Sequence, residues 1–171
     1  MPRFRNVLVP AAAILVLATI GLMSIAAASP NATPDITTAQ TFTVLAHATN
    51  FTPINVGSKD FGPGDYAVER WVLRRSGARV GRLNAQSTVN FNQTPSNPTA
   101  LYFLAFTFTG KGELTADGSI VLAPTSEGGF RPIPFNLPVT GGTGIYQNAR
   151  GQIHVEFLTD ADARFTFHLI P

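Results

Sequence analysis

The chain has 171 residues, 12 lysines and arginines against 10 aspartates and glutamates, a formal net charge of +2, and no cysteine. Without cysteine it can build neither a disulfide framework nor a thiolate nucleophile or thiolate metal site. Arg3 and Arg5 lie in the first few residues, and the rest carries as many acids as bases, which argues against the clustered basic face that nucleic-acid binding needs.

Arg3 and Arg5 precede an almost wholly apolar run, Val7 to Ala28, that ends in three alanines, Ala26 to Ala28. A positive start, an apolar middle and small residues for cleavage mark residues 1–28 as a secretory signal peptide, expected as a helix until its removal before Ser29. The competing reading is an uncleaved anchor, since about 20 apolar residues can span a bilayer. Residues 29–40 are small, polar and proline-broken and read as a flexible leader. Residues 41–171 follow as one domain, about 130 residues being enough for a single core. The expectation is a secreted or extracytoplasmic protein that meets the membrane only through its signal segment. The alanine-rich leader, with arginine and no lysine, suits bacterial export, so the sequons at Asn31, Asn50 and Asn92 are discounted.

Beyond residue 40 no stretch has a helical period, whereas several alternate with period two between glycine, proline and aspartate. Strands are expected at 41–48, 66–75, 79–91, 100–109, 112–116, 119–123, 134–140, 151–158 and 163–170. The fold class is therefore all-β, an eight-stranded antiparallel β-barrel, with a sandwich as the alternative; closure removes exposed edges and leaves an interior that side chains can fill or that can hold one small ligand.

Alternation also assigns faces. Leu83, Ala85, Ser87 and Val89 form the small, mostly apolar side of one strand and are expected inside. In the last hairpin, Ile153, Val155, Phe157, Phe165, Phe167 and Leu169 share one face, and His154, Glu156, Arg164, Thr166 and His168 share the other, around a turn at 159–163. The strand from Tyr66 admits two assignments. With Ala67, Glu69, Trp71 and Leu73 inside, Glu69 is a carboxylate in an apolar cup, its pKa raised by desolvation and suited to proton transfer. With that set outside, Glu69 pairs with a neighbouring arginine.

Motifs for other chemistries fail on their own requirements. Gly142-Thr143-Gly144 lacks a third glycine at position 147 and runs into a β pattern rather than a helix, and Gly110-Lys111 lacks the spacing of a phosphate loop. No Gly-x-Ser-x-Gly elbow is present, and His47, His154 and His168 have no evident relay partner. Asp160-Ala161-Asp162 lacks the glycine and distal glutamate of a calcium loop. No metal and no cofactor is expected.

Residues 134–152 carry a short apolar strand, a glycine cluster at Gly141, Gly142 and Gly144, and an Ala149-Arg150-Gly151 element that reopens into a strand. Positive φ is expected at Gly141, Gly142 and Gly144, and a turn back into the sheet at Gly151. Together with Gly64-Asp65 opening a strand, the segment Ala78 to Leu83, and the glycine-punctuated hairpin Phe106 to Gly118, this pattern over residues 41–170 resembles the dirigent and allene oxide cyclase superfamily. The resemblance implies an antiparallel barrel whose lumen takes a small apolar molecule and steers its cyclisation or coupling, an isomerase-like task. It also implies homo-oligomers such as dimers or trimers.

On that resemblance Glu69 is the catalytic candidate, and Trp71, Ala67, Leu83, Ser87, Phe106 and Phe108 are the expected lumen lining. Gly141, Gly142, Gly144, Arg150 and Gly151 form the structural signature, with Arg150 either bracing the glycine loop or handling a reactive intermediate. The cyclases' first-strand glutamate is missing here, His47 being that strand's sole ionisable group, so allene oxide cyclisation itself is not implied. The rival reading is a carrier or cell-envelope interaction protein whose barrel is packed by Phe103, Phe106, Phe108, Phe135, Phe157, Phe165 and Phe167.

Overall fold

The computed structural model describes residues 38–57, 62–90, 98–124 and 130–171. The expected signal peptide, most of the leader, two of the three sequons and the end of the third expected strand at Phe91 lie outside the described residues. Among them run nine strands: β1 (Gln40–Ile54), β2 (Tyr66–Arg75), β3 (Ala78–Asn90), β4 (Thr99–Phe108), β5 (Gly112–Pro124), β6 (Phe130–Pro132), β7 (Phe135–Gly142), β8 (Arg150–Phe157) and β9 (Asp162–Ile170). A single 3-10 turn, Gly144–Tyr146, joins β7 to β8.

The strands are hydrogen-bonded in the order β4-β3-β2-β1-β9-β8-β7-β5, and the further pairing of β4 with β5 closes the ring. The result is an eight-stranded antiparallel barrel; β6 pairs only with the end of β5 and stands outside the ring. Closure disposes of the sandwich alternative. The expected break between 116 and 119 is absent, and one strand runs through Gly118, whose missing side chain leaves room for the Leu137 methyl 2.9 Å from where a Cβ would lie.

Alternation in sequence becomes alternation in burial, because successive side chains on a strand point to opposite faces. On β3, Leu83, Ala85 and Val89 are buried and Ser87 is half-buried, while Arg82, Asn84, Gln86 and Asn90 are exposed. On β8 and β9, Ile153, Val155, Phe165, Phe167 and Leu169 are buried, and Phe157 is partly so. Of the two assignments for β2, the structure takes the inward one: Ala67, Glu69, Trp71 and Leu73 are all buried.

Strand β1 changes parity along its length. Opposite β2 the register steps from Ala48↔Trp71 to Asn50↔Arg70, so Thr49 is the extra residue of a β-bulge. Before it Phe42, Val44, Ala46 and Ala48 face inward; after it Phe51 and Pro53 pair with Glu69 and Ala67 and border the lumen. The bulge thereby adds a wall at one end of the barrel. The middle is filled: Phe106 lies edge-on to Phe165 and Phe167 with centroids 5.2 and 5.0 Å apart, and Phe42 stacks on Phe167 at 4.6 Å.

Candidate functional site

Small side chains open the lumen at the end where β1 finishes and β2 begins. Ala67, Ala100, Ser87 and Val89 leave a cup of about 650 Å³, walled by Phe51, Pro53, Tyr66, Trp71, Tyr102 and Phe157, and roofed on one side by Phe130 and Pro132 of β6. That volume falls within the range of roughly 300–1,000 Å³ in which drug-sized ligands bind. The floor is closed: the void beneath Glu69 and Trp71, among Leu83, Leu104 and Phe165, is only about 10 Å³, room for about one water.

One rim of the cup is pinned by Asp65, a buried carboxylate committed to backbone. Its Oδ1 accepts from the Val56 N–H and its Oδ2 from the Gly62 N–H, both at 2.8 Å, while its own backbone exchanges with Val89 and Gly62. The Gly64-Asp65 landmark is thus a staple: Gly64 takes a φ of 90°, and Asp65 ties the β1–β2 connection to the end of β3.

Glu69 is buried within the cup, as are Asp65 and Tyr102, but unlike Asp65 it is not committed to backbone. Trp71, two residues along the same face, donates its Nε1–H to Glu69 Oε2 at 2.9 Å, and no second partner for the carboxyl occurs among the described residues. Burial pushes the Glu69 pKa above its ordinary 4.5, against the opposing pull of the Trp71 hydrogen bond, which favours the charged form. Tyr102 stands nearby: burial, aided by the Glu69 charge, drives its phenol far above the usual tyrosine range despite a hydrogen bond with Ser87. A neutral Glu69 holding Trp71 on Oε2 carries its proton on Oε1, and so presents an O–H donor within an apolar, aromatic cup.

Of the lumen residues expected from sequence, Trp71, Ala67 and Ser87 line this cup together with Glu69. Leu83 lies beneath the floor. Phe106 is fully buried in the packed middle, and Phe108 faces a separate cavity at the opposite end. Phe103, counted among the barrel-filling phenylalanines, instead points outward and is 51% exposed, because β4 buries Tyr102, Leu104 and Phe106 on the other parity. Sequence reasoning passed over Phe51 and Pro53, hidden by the bulge, and Tyr102, and it counted Phe157 as barrel filling rather than as cup wall. The alternation of β4 and the sharing of a face by Phe157 with Phe165 were signals for the last two.

The glycine cluster divides by mechanism. Gly144 and Gly151 have φ of 63° and 128°, whereas Gly141 and Gly142 lie outside the left-handed region, contrary to expectation. Gly142 is required by close approach: a Cβ there would meet the Tyr146 and Glu113 backbone oxygens. Arg150 is exposed at the start of β8, opposite Ile170, on the face away from the lumen. The histidines are spoken for on the outer wall: His47 pairs with Asp162 at 2.8 Å, His154 with Asn136 at 3.0 Å and His168 with Thr41 at 3.2 Å.

No protein-family model and no curated protein sequence matches the chain. Among solved structures it is similar to pyocyanin demethylase, with a TM-score of 0.63 and 24% identity over 76% of this chain and 99% of that one. It is also similar to the Diels-Alderase AbmU from Streptomyces koyangensis, with a TM-score of 0.59 and 17% identity over 75% of this chain and 63% of that one. AbnU, an exo-specific intermolecular Diels-Alderase, gives a TM-score of 0.54 and 13% identity over 77% and 98% of the two chains. At these identities the likeness establishes the shared barrel fold, and the chain spans under two thirds of AbmU.

Proposed function

We propose that the protein binds a small, largely apolar molecule in the cup and steers its cyclisation or coupling, acting outside the cytoplasm as the amino-terminal segment suggests. The observation that carries this reading is the Glu69 carboxyl, buried in an aromatic cup with one oxygen held by Trp71. In its neutral form it donates a hydrogen bond to a carbonyl or similar acceptor on the guest, polarising the attached π system. The walls of Trp71, Tyr102, Phe51 and Phe157 hold one folded conformer, so that catalysis comes mainly from orientation and the exclusion of water. A cyclisation of this kind exchanges π bonds for ring σ bonds and releases no group, so a carboxylic acid and a shaped wall suffice.

The names of the structural neighbours, two of them Diels-Alderases, and the resemblance to dirigent and allene oxide cyclase proteins lend this reading support at the level of the barrel. One observation favours a carrier instead: the middle of the lumen is packed with phenylalanine, and the open half needs only to hold its guest. Native mass spectrometry of protein purified from its own host, followed by incubation of the co-purifying molecule with wild type and Glu69→Gln, separates the two. Conversion by wild type with loss of roughly 100-fold or more in the variant supports catalysis; retention of the molecule unchanged by both makes the protein a carrier.

A further inference from the structure

The end of the barrel opposite the cup holds a second cavity, of about 270 Å³, walled off from Glu69 by the packed phenylalanines. Phe42, Val44, Phe108 and Tyr146 give it an apolar floor, and Arg75, Arg79 and Lys111 stand around it. Local backbone geometry gathers the three cations. Ser76 and Gly77, at φ of 48° and 80°, turn β2 tightly into β3. The register then steps from Leu73↔Gly81 to Arg74↔Arg79, leaving Val80 as a bulge residue that lets Arg79 and Val80 both border the cavity. Lys111 is held in the β4–β5 hairpin by its N–H to the Phe108 carbonyl at 3.0 Å and by the Ile145 N–H to its own carbonyl at 2.9 Å.

Among the described residues no carboxylate borders this cavity. The ion pairs among the described residues are His47–Asp162 and Glu156–Arg164, so none of the three cations is neutralised there. The Arg75 guanidinium carbon lies over the Phe42 ring, 5.8 Å from its centroid. Three like charges around a concave apolar floor repel one another and attract an anion.

We propose that this cavity is a binding site for a small amphipathic carboxylate, an aromatic ring on a short carboxylate arm. The ring rests on Phe42, Phe108 and Tyr146, and the carboxylate is shared among Arg75, Arg79 and Lys111, the planar guanidinium fork matching two carboxylate oxygens. The volume, just under that of drug-sized pockets, suits a guest of this size.

Isothermal titration of the full chain with 4-phenylbutyrate and with the neutral 4-phenylbutanol tests the assignment. The carboxylate should bind with one-site saturation, at least about tenfold tighter than the alcohol, and more weakly as salt is raised. Replacing the three exposed cations together (R75Q, R79Q, K111Q) should abolish that preference without lowering the thermal midpoint. Trp71 emission, read at the other end of the barrel, should not respond. Equal affinity for acid and alcohol, or undiminished acid binding by the triple variant, would overturn the proposal. So would a Trp71 response, which would put the acid in the cup, or salt-sensitive self-association in place of phenylbutyrate binding, which would make the cationic end a docking face for a second copy.

Discussion

Glu69 and Trp71 form a pair in which the protein's fold sets a protonation state. Because the folded pKa of Glu69 lies above its unfolded value, the native state binds the proton more tightly than the unfolded chain does, and the associated stability is complete below about pH 4.5 and is lost as pH rises through the folded value. Denaturant unfolding of wild type and Glu69→Gln across that window should show the wild type losing ground as pH rises while the amide variant does not. Trp71→Phe removes the hydrogen bond that favours the charged carboxylate, so it should push the loss to higher pH. On the outer wall the sign reverses: hydrogen bonds from His47 and Thr159 hold the Asp162 carboxyl below its usual value, and His47→Ala should let an NMR titration of Asp162 drift back upward. Glu69 was legible as a candidate because period-two alternation ties it to Ala67, Trp71 and Leu73; which side that row takes was not, since both rows of β2 contain apolar residues and only closure of the barrel decides.

At the scale of the element, local alternation was readable and tertiary approach was not. The faces of β3, β8 and β9 follow from their own residues. The bulge at Thr49 does not, because its cause is the register with β2, and with it went Phe51 and Pro53. The glycine cluster is the same lesson: composition announced a turn, but only the packed structure distinguishes Gly144 and Gly151, which need positive φ, from Gly142, which needs an absent Cβ. Gly151→Ala combines both penalties, a φ of 128° and a Cβ driven against the His168 carbonyl, each on the order of 1–3 kcal/mol. Gly142→Ala incurs only the second. Gly141→Ala meets the Thr115 hydroxyl at 3.3 Å, a flexible neighbour, and should be the mildest. Thermal midpoints should fall in that order, Gly151→Ala lowest; equal midpoints would show that the loop yields.

The whole molecule is a barrel with a packed middle, an open half that holds the cup and a smaller cavity at the far end. The packed middle supplies cohesion to a chain without disulfides: Phe106 is fully buried among Phe108, Phe165 and Phe167, and Phe106→Ala should lower stability by about 3–5 kcal/mol, measured by denaturant unfolding, while leaving the cup's lining in place. The open half is where a guest would sit, and Trp71, the only tryptophan, stands in its wall as a built-in reporter. Titration with N-phenyl-1-naphthylamine, a neutral aromatic probe, followed by energy transfer from Trp71, is the most direct measurement of the central claim. The account predicts saturable transfer in wild type, its loss in Ala67→Phe, which fills the cup from its own wall, and poor quenching of Trp71 by iodide. Ready iodide quenching with no saturable transfer, or transfer unchanged by Ala67→Phe, would contradict it.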